Sequence, residues 1–213
     1  MNSKNEINNE LNKIILGIEE EISSLIKKNE TDYFLFALRG LVRYTSTLFK
    51  RLTTEQNIPI EYLAFSARSL FECYLLVEFI IKDPSKAKDF ISQKPKEELE
   101  INKGFLSLKT ENASETAIKM IHDRIDYIEK LTKDYVLTPT RHWSVSHLAL
   151  ETNNKLEYDA FFKLYSKYVH PSSWIMNSHE YEHNNPVFRN IFLSQGQINA
   201  NRIVKSIKKY KNK

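Results

Sequence analysis

Arg68 and Glu72 are the charged pair in the sequence that is best placed to do chemistry. They lie four residues apart within the apolar segment from Ile60 to Lys82, so a helix puts both side chains on one face. A charged pair in such a segment needs partners, because an unpaired buried charge destabilises a fold. If the pair is fully buried, we expect the loss of Glu72 to destabilise the protein by about 3–5 kcal/mol.

Arginine and histidine residues further along the chain point to acid–base chemistry. Arg141 precedes His147 by six residues, and His170 ends a predicted helix. A histidine can take the proton of an RNA 2′-hydroxyl near neutral pH, while a guanidinium stabilises the developing charge on the phosphate. The candidate catalytic residues are therefore Arg68, Glu72, Arg141, His147 and His170. The other interpretation is a hydrogen-bonding network of Arg68, Glu72, Tyr165 and His170 that fixes helix register.

The segment from His179 to His183 has the letters of the zinc-protease motif H-E-x-x-H. That motif requires a stable helix, which places both histidines on one ion. Polar residues at 177–178 and the sequence Asn184-Asn185-Pro186 predict a loop instead. We therefore predict no metal site and assign no cofactor.

The elements that position these residues are predicted to be helices. Apolar residues recur at three- and four-residue spacing in at least five segments, and no segment alternates with a period of two. Four glycines and six prolines in 213 residues are too few for a sandwich or barrel with many tight turns. The sequence predicts an all-α bundle of about five long helices plus short helices.

The predicted organisation is a single domain over residues 1–213. Residues 1–56 form a helical hairpin, residues 57–175 form the core, and residues 176–213 form a loop and a basic helix from about residue 192. The helix over 60–82 belongs at the centre, because it is apolar on nearly every side. Pro95 is predicted to split residues 85–108 into two short helices.

Composition bounds the compartment and the partners. The net charge of +4 permits contact with nucleic acid without arguing for it. We expect the basic residues of the second and last helices to face solvent: Arg39, Arg43, Lys50, Arg51, Arg202, Lys205, Lys208, Lys209 and Lys211. The single cysteine, Cys73, lies in the central helix and is interpreted as a packed residue. The sequence shows neither a signal peptide nor a membrane-spanning segment, so we expect a cytoplasmic protein.

Three short motifs carry a resemblance that covers about residues 60–175. They are ARSLFE at 67–72, HWS at 142–144 and YSKYVHPSS at 165–173. In this order they resemble an uncharacterised family of bacterial all-helical proteins, catalogued only as a domain of unknown function. The spacing of Arg141 and His147 also resembles the R-x4-6-H motif of HEPN-type ribonucleases, which cut RNA without metal at a dimer cleft.

The resemblance implies a HEPN-like bundle of the kind often found near mobile or defence genes. The favoured function is a defence or toxin-type protein that cleaves RNA without metal, as a homodimer and with an antitoxin or regulatory protein as a partner. The alternative is a non-enzymatic binding or regulatory module that uses the same polar residues to hold a partner or small ligand. A basic rim beside these residues would favour RNA, whereas an exposed apolar patch would favour a protein partner.

Overall fold

The computed structural model describes residues 4–26, 32–53, 58–108, 110, 113–138 and 140–211. The predicted hairpin over residues 1–56 includes residues 1–3, 27–31 and 54–56, which lie outside the described residues. The described part contains no strand, which confirms the all-α prediction. The helices are α1 (Lys4–Ile26), α2 (Tyr33–Thr53), α3 (Ile60–Lys82), α4 (Lys86–Ser107), α5 (Glu115–Asp134), α6 (Val145–Glu151), α7 (Lys155–Glu157), α8 (Lys163–Val169), α9 (Ser173–Met176) and α10 (Pro186–Lys211).

The chain forms two compact units, Met1–Asp83 with Ser144–Lys213, and Pro84–Trp143. The proposal that they make up one domain stays a prediction. Six of the described helices have 20 or more residues, where about five long helices were predicted. None of the described helices is both long enough and apolar enough to span a membrane.

Helix α3 is the centre of the first unit, as its apolar sequence predicts. It packs against α10, α2 and α8, and its Leu63, Leu70 and Leu75 side chains are fully or almost fully buried. One stripe of its first half is less buried, and the positions of this stripe recur every three or four residues: Glu61, Phe65, Arg68 and Glu72. This stripe is where α3 can present side chains to a ligand.

Helices α1 and α2 pack against each other, and the N-terminal hairpin over residues 1–56 stays a prediction. Helix α10 packs on α3 and also approaches α2 closely. A Cβ atom at Gly196 of α10 would collide with the end of the Leu52 side chain of α2, so a larger residue at 196 would require Leu52 to shift.

Helix α10 begins at Pro186 and not near residue 192 as predicted. The Asn185 side chain accepts hydrogen bonds from the backbone N–H groups of Val187 at 2.9 Å and Phe188 at 3.4 Å. Asparagine before the helix and proline at its first position are typical of a helix start. The sequence Asn184-Asn185-Pro186 therefore ends one element and begins the next.

The predicted helix that His170 ends is confirmed, and it contains one irregular turn. A π-helical turn, Tyr158–Phe162, connects α7 to α8. On the buried side, Tyr165 and Tyr168 pack against Phe192 of α10. The helix ends at His170, which is extended with φ −115° and ψ 151° because Pro171 disfavours a helical residue before it.

The second unit consists mainly of α4 and α5, which pack together. Glu98 of α4 pairs with Arg124 of α5, and the two residues are equally distant from the connecting loop, as in an antiparallel hairpin. The prediction that Pro95 splits this region is wrong, because α4 continues through it. Proline removes one backbone hydrogen bond, and here the rest of the helix and the burial of Pro95 compensate for that loss.

Candidate functional site

Arg68 is the centre of a polar cluster on the surface of the first unit. Its Nε donates to Glu72 Oε1 at 3.1 Å, and its Nη1 lies 2.7 Å from His170 Nε2. Its Cζ also lies 4.4 Å from the ring centroid of Phe162. Three of the predicted site residues, Arg68, Glu72 and His170, therefore meet at one place, which we call the Arg68 cluster together with Phe162.

The contact between Arg68 and His170 determines which histidine nitrogen carries the proton. A guanidinium only donates hydrogen bonds, so Nε2 of His170 must accept with its lone pair. The ring is then neutral with its proton on Nδ1, since an imidazolium has no acceptor. His170 is exposed at the end of α8. The cluster thus presents a basic ring nitrogen and a cation at the protein surface.

Because the cluster is partly exposed, the Arg68–Glu72 ion pair is expected to contribute less to the free energy of unfolding than a fully buried pair. The side chains of Arg68 and Glu72 are 21% and 31% exposed, so the pair is only partly buried. It also links two residues of the same helix, and such pairs contribute about 0.3–0.5 kcal/mol when they are exposed. The 3–5 kcal/mol expected for a fully buried pair therefore does not apply here.

Tyr165 and Cys73 lie in the interior of the first unit and do not contribute donors or acceptors to the cluster. Tyr165 is fully buried, and its hydroxyl has no hydrogen-bond partner among the described residues. Burial raises the pKa of Cys73 to about 12, and the nearby charge of Glu72 acts in the same direction. Cys73 is thus a packed thiol and not a nucleophile, as the sequence indicated.

His147 lies elsewhere on the first unit. It is exposed on α6, and its ring is edge-on to Phe79 with the centroids 6.0 Å apart. Phe79 follows Glu72 by seven residues, which corresponds to about 10 Å along a helix. The Ser144 hydroxyl accepts from the His147 backbone N–H at 3.2 Å and so begins α6.

Arg141 is exposed and belongs to the second unit, whereas His147 belongs to the first. In the same second unit, His142 Nδ1 lies 3.8 Å from Glu97 Oε1, and Trp143 stacks on Phe90. The assignment of Arg141 and His147 as catalytic residues stays a prediction.

The His179 to His183 segment is not an α-helix. His179 precedes a short 3-10 helix, Glu180–Asn184, and both histidines are exposed. Residues three apart are aligned in a 3-10 helix, so residues four apart do not aim at one ion as they do in an α-helix. In the part of the chain that the structure describes, no group of three His, Cys, Asp or Glu side chains is placed to hold a metal.

Phe162 is the member of the cluster that sequence reasoning missed. Its ring underlies the Arg68 guanidinium, where a cation–π contact holds the cation over an apolar surface. Phe162 ends the π-helical turn, and such turns are frequent at functional sites. The spacing of apolar residues did not indicate that Phe162 contacts Arg68. Such spacing identifies the buried face of a helix, but it does not identify the residues of other helices that pack on that face.

The cluster has the parts needed to bind and activate a phosphate ester. Arg68 Nη2 makes no hydrogen bond to any described residue, and Nη1 is held only by a neutral ring. An anion can therefore recruit both Nη groups, in the paired geometry that suits phosphate. The release of His170 Nε2 would at the same time expose a general base.

Comparison with known proteins places the chain in a family. Residues 54–188 match the family of unknown function DUF5677. No curated protein and no solved structure matches the chain. The family match spans more than half of the chain, including the segments with the motifs ARSLFE, HWS and YSKYVHPSS. The chain therefore belongs to DUF5677, which confirms the expectation of an uncharacterised, all-helical family.

Proposed function

We propose that the protein cleaves RNA without a metal ion and that the Arg68 cluster is its active site. The observation that carries the proposal is the 2.7 Å contact between Arg68 Nη1 and His170 Nε2 at the protein surface. A guanidinium and a neutral imidazole in contact are the two groups required to bind a phosphate and to take a proton beside it.

In the proposed reaction, an RNA phosphate replaces His170 as the acceptor for Nη1 of Arg68 and also accepts from Nη2. Nε2 of His170 takes the proton of the adjacent 2′-hydroxyl, whose oxygen attacks phosphorus. The bond from phosphorus to the 5′-oxygen breaks, and this oxygen leaves with a proton from water. The products are a 2′,3′-cyclic phosphate and a 5′-hydroxyl. Glu72 orients the guanidinium through Nε and is a positioning residue.

We also propose a HEPN-like defence or toxin-type role in the cytoplasm. In this role the protein is a homodimer, and an antitoxin or regulatory protein controls cleavage. Two features support this extension: the helical fold, and an arginine–histidine pair at the protein surface, which here is Arg68 with His170 and not the Arg141 and His147 that carry the resemblance. A homodimer would bring a second cluster, whose histidine, in its protonated form, would replace water as the proton donor to the leaving oxygen.

The test is cleavage of a labelled single-stranded RNA in the presence of a chelator, with DNA of the same sequence as a substrate control. We expect the wild type to cut RNA and leave DNA intact, because DNA lacks the attacking 2′-hydroxyl. His170→Ala should lower the rate by about 100-fold or more, the usual contribution of a general base. His122→Ala is the matched control, since His122 is an exposed histidine on α5 of the other unit.

Two results would contradict the proposal. One is wild-type protein that leaves RNA intact, and the other is a His170→Ala variant that cuts as fast as the wild type. If His147→Ala abolishes cleavage while His170→Ala does not, the active site lies with His147 and not at the Arg68 cluster.

A second candidate function is a binding module that holds an anionic ligand or partner without cleavage. The observation that favours it is that the cluster contains a single imidazole, so the leaving oxygen has no protein acid within one copy of the cluster. RNA that is bound but remains intact, with binding lost in Arg68→Ala, would identify this function.

A further inference from the structure

A groove on the first unit lies directly beside the Arg68 cluster. It has a volume of about 860 Å³ and lies between the end of α2, the start of α3 and the end of α8. Lys50 and Arg51 come from α2, Glu61, Tyr62 and Phe65 come from α3, and Val169 comes from α8. A volume of several hundred Å³ suits a ligand of nucleotide size.

The groove and the cluster are continuous along the chain and along one helix face. Val169 lines the groove, and the next residue is His170. On α3, Phe65 precedes Arg68 by three residues, so both belong to the stripe that also includes Glu61 and Glu72. A chain bound at Arg68 would therefore extend into the groove.

The chemistry of the groove matches single-stranded nucleic acid. Tyr62 and Phe65 are 65% and 38% exposed, which leaves their aromatic surface available to bases. Lys50 and Arg51 line the groove from the last turn of α2, and Glu61 lines it from the first turn of α3. Exposed aromatics between basic residues form stacking platforms for bases and contacts for phosphates, without sequence specificity.

We infer that this groove binds the unpaired nucleotides of a single-stranded RNA and delivers the adjacent phosphate to Arg68. The inference rests on the proposed function and deepens it by naming the substrate class. A duplex would not fit the same chemistry, because its bases are stacked on each other and do not offer their faces to Tyr62 and Phe65. The expectation that Lys50 and Arg51 only face solvent would then be wrong.

The test measures binding separately from cleavage. His170→Ala protein is titrated with a fluorescent single-stranded oligoribonucleotide, and then with the same strand annealed to its complement. We expect tighter binding of the single strand. In this background, Tyr62→Ala should weaken binding about ten-fold, since loss of one stacking contact has an effect of this size. Tyr44→Ala is the matched control, because Tyr44 is 44% exposed on α2 and does not line the groove.

The charged wall is tested by salt dependence. Arg51→Ala should lower the slope of log affinity against log salt by about 0.7, the value for one lost phosphate contact with a single strand. Tyr62→Ala should leave that slope unchanged. Arg43→Ala is the control, since Arg43 lies two turns earlier on α2, is 78% exposed and does not line the groove.

The failures of the two proposals are distinguishable. If the wild type cleaves RNA but Tyr62→Ala and Arg51→Ala bind the single strand as tightly as their parent, the groove inference is overturned and the active site stands. If the wild type does not cleave RNA but both variants bind the single strand more weakly, RNA binding in the groove is supported and the proposal of cleavage is wrong. Preference for the duplex, or binding of a peptide in place of RNA, overturns the groove inference.

Discussion

An arginine contacts each end of the helical segment that runs from Lys155 to Val169, and the two arginines are held differently. At the start, Arg202 of α10 donates to both carboxylate oxygens of Glu157, with Nη1 at 2.6 Å and Nη2 at 2.8 Å. At the end, Arg68 of α3 donates one Nη group to the neutral ring of His170. Both guanidinium groups also lie over an aromatic ring, Tyr74 for Arg202 and Phe162 for Arg68.

Under the proposed function, this difference separates a structural contact from a binding site. The bidentate carboxylate uses both Nη groups of Arg202, and it raises the pKa of this already basic side chain further. Arg68 instead gives its carboxylate only Nε, while Nη1 contacts a neutral imidazole and Nη2 makes no hydrogen bond to any described residue. Arg202 thus fastens α10 to the start of the segment, whereas Arg68 keeps the donors that the proposed function requires at its end.

The largest effect is expected from replacing each arginine by lysine. Arg68→Lys should lower RNA cleavage by about 100-fold, because an ammonium cannot offer the paired donors that stabilise the phosphate. Its thermal stability should stay close to that of the wild type. Arg202→Lys should show the reverse pattern, with lower stability and an unchanged rate. Cleavage rates and thermal melts of the two variants check this pair.

Equal loss of activity in Arg68→Lys and Arg202→Lys would contradict the proposed difference between the two arginines. It would show that either substitution distorts the whole segment from Lys155 to Val169. A normal rate in Arg68→Lys would show that a point charge is sufficient there.

An intermediate effect on stability is expected from neutralising the two carboxylates. Glu157→Gln should lower the free energy of unfolding by about 1–2 kcal/mol, below the 3–5 kcal/mol of a fully buried pair. The expected value is below that of a fully buried pair because the side chains of Arg202 and Glu157 are 34% and 32% exposed. Glu72→Gln should lower it by less than about 0.5 kcal/mol, because that pair lies within one helix. Urea unfolding measures both values. A larger loss for Glu72→Gln than for Glu157→Gln would show that the Arg68–Glu72 pair, and not the Arg202–Glu157 pair, is the structural contact.

The smallest effect near neutral pH concerns Tyr165, on the buried side of α8. Burial raises its pKa above the ordinary value of 10.0, and the charge of Glu157 acts in the same direction. The folded state then holds the phenol proton more tightly than the unfolded chain does. This contribution to stability is complete below about pH 10 and is lost as the pH rises further.

Tyr165→Phe should therefore lose less stability than the wild type between about pH 8 and about pH 11. Near pH 8 it should be as stable as the wild type or slightly more stable, because its hydroxyl has no described hydrogen-bond partner. Part of the alkaline loss should remain, since burial also raises the pKa of Cys73 to about 12. Tyr44→Phe, at an exposed position, is the control for urea unfolding. Identical alkaline losses in wild type and Tyr165→Phe would contradict the prediction.

The sequence by itself determined the parts of the protein that depend on neighbours along the chain. The spacing of apolar residues gave the helices and the central position of α3, because a helix that is apolar on nearly every side must be buried. The four-residue spacing of Arg68 and Glu72 gave their contact, and Pro171 determined where His170 ends its helix. Pro95 shows the limit of such rules, because a helix that keeps the rest of its hydrogen bonds can continue through a proline.

Only the tertiary structure decided that both Nη groups of Arg202 are paired with a carboxylate and that those of Arg68 are not. Arg68 and His170 are 102 residues apart, and Arg202 and Glu157 are 45 apart. In the sequence, Arg202 resembles the solvent-facing lysines around it, and Phe162 resembles any core aromatic. Helical periodicity specifies which face of each helix is buried, but it contains no information on which side chains of distant helices meet. Those contacts depend on how α3, α8 and α10 pack together, and this packing is a property of the whole chain.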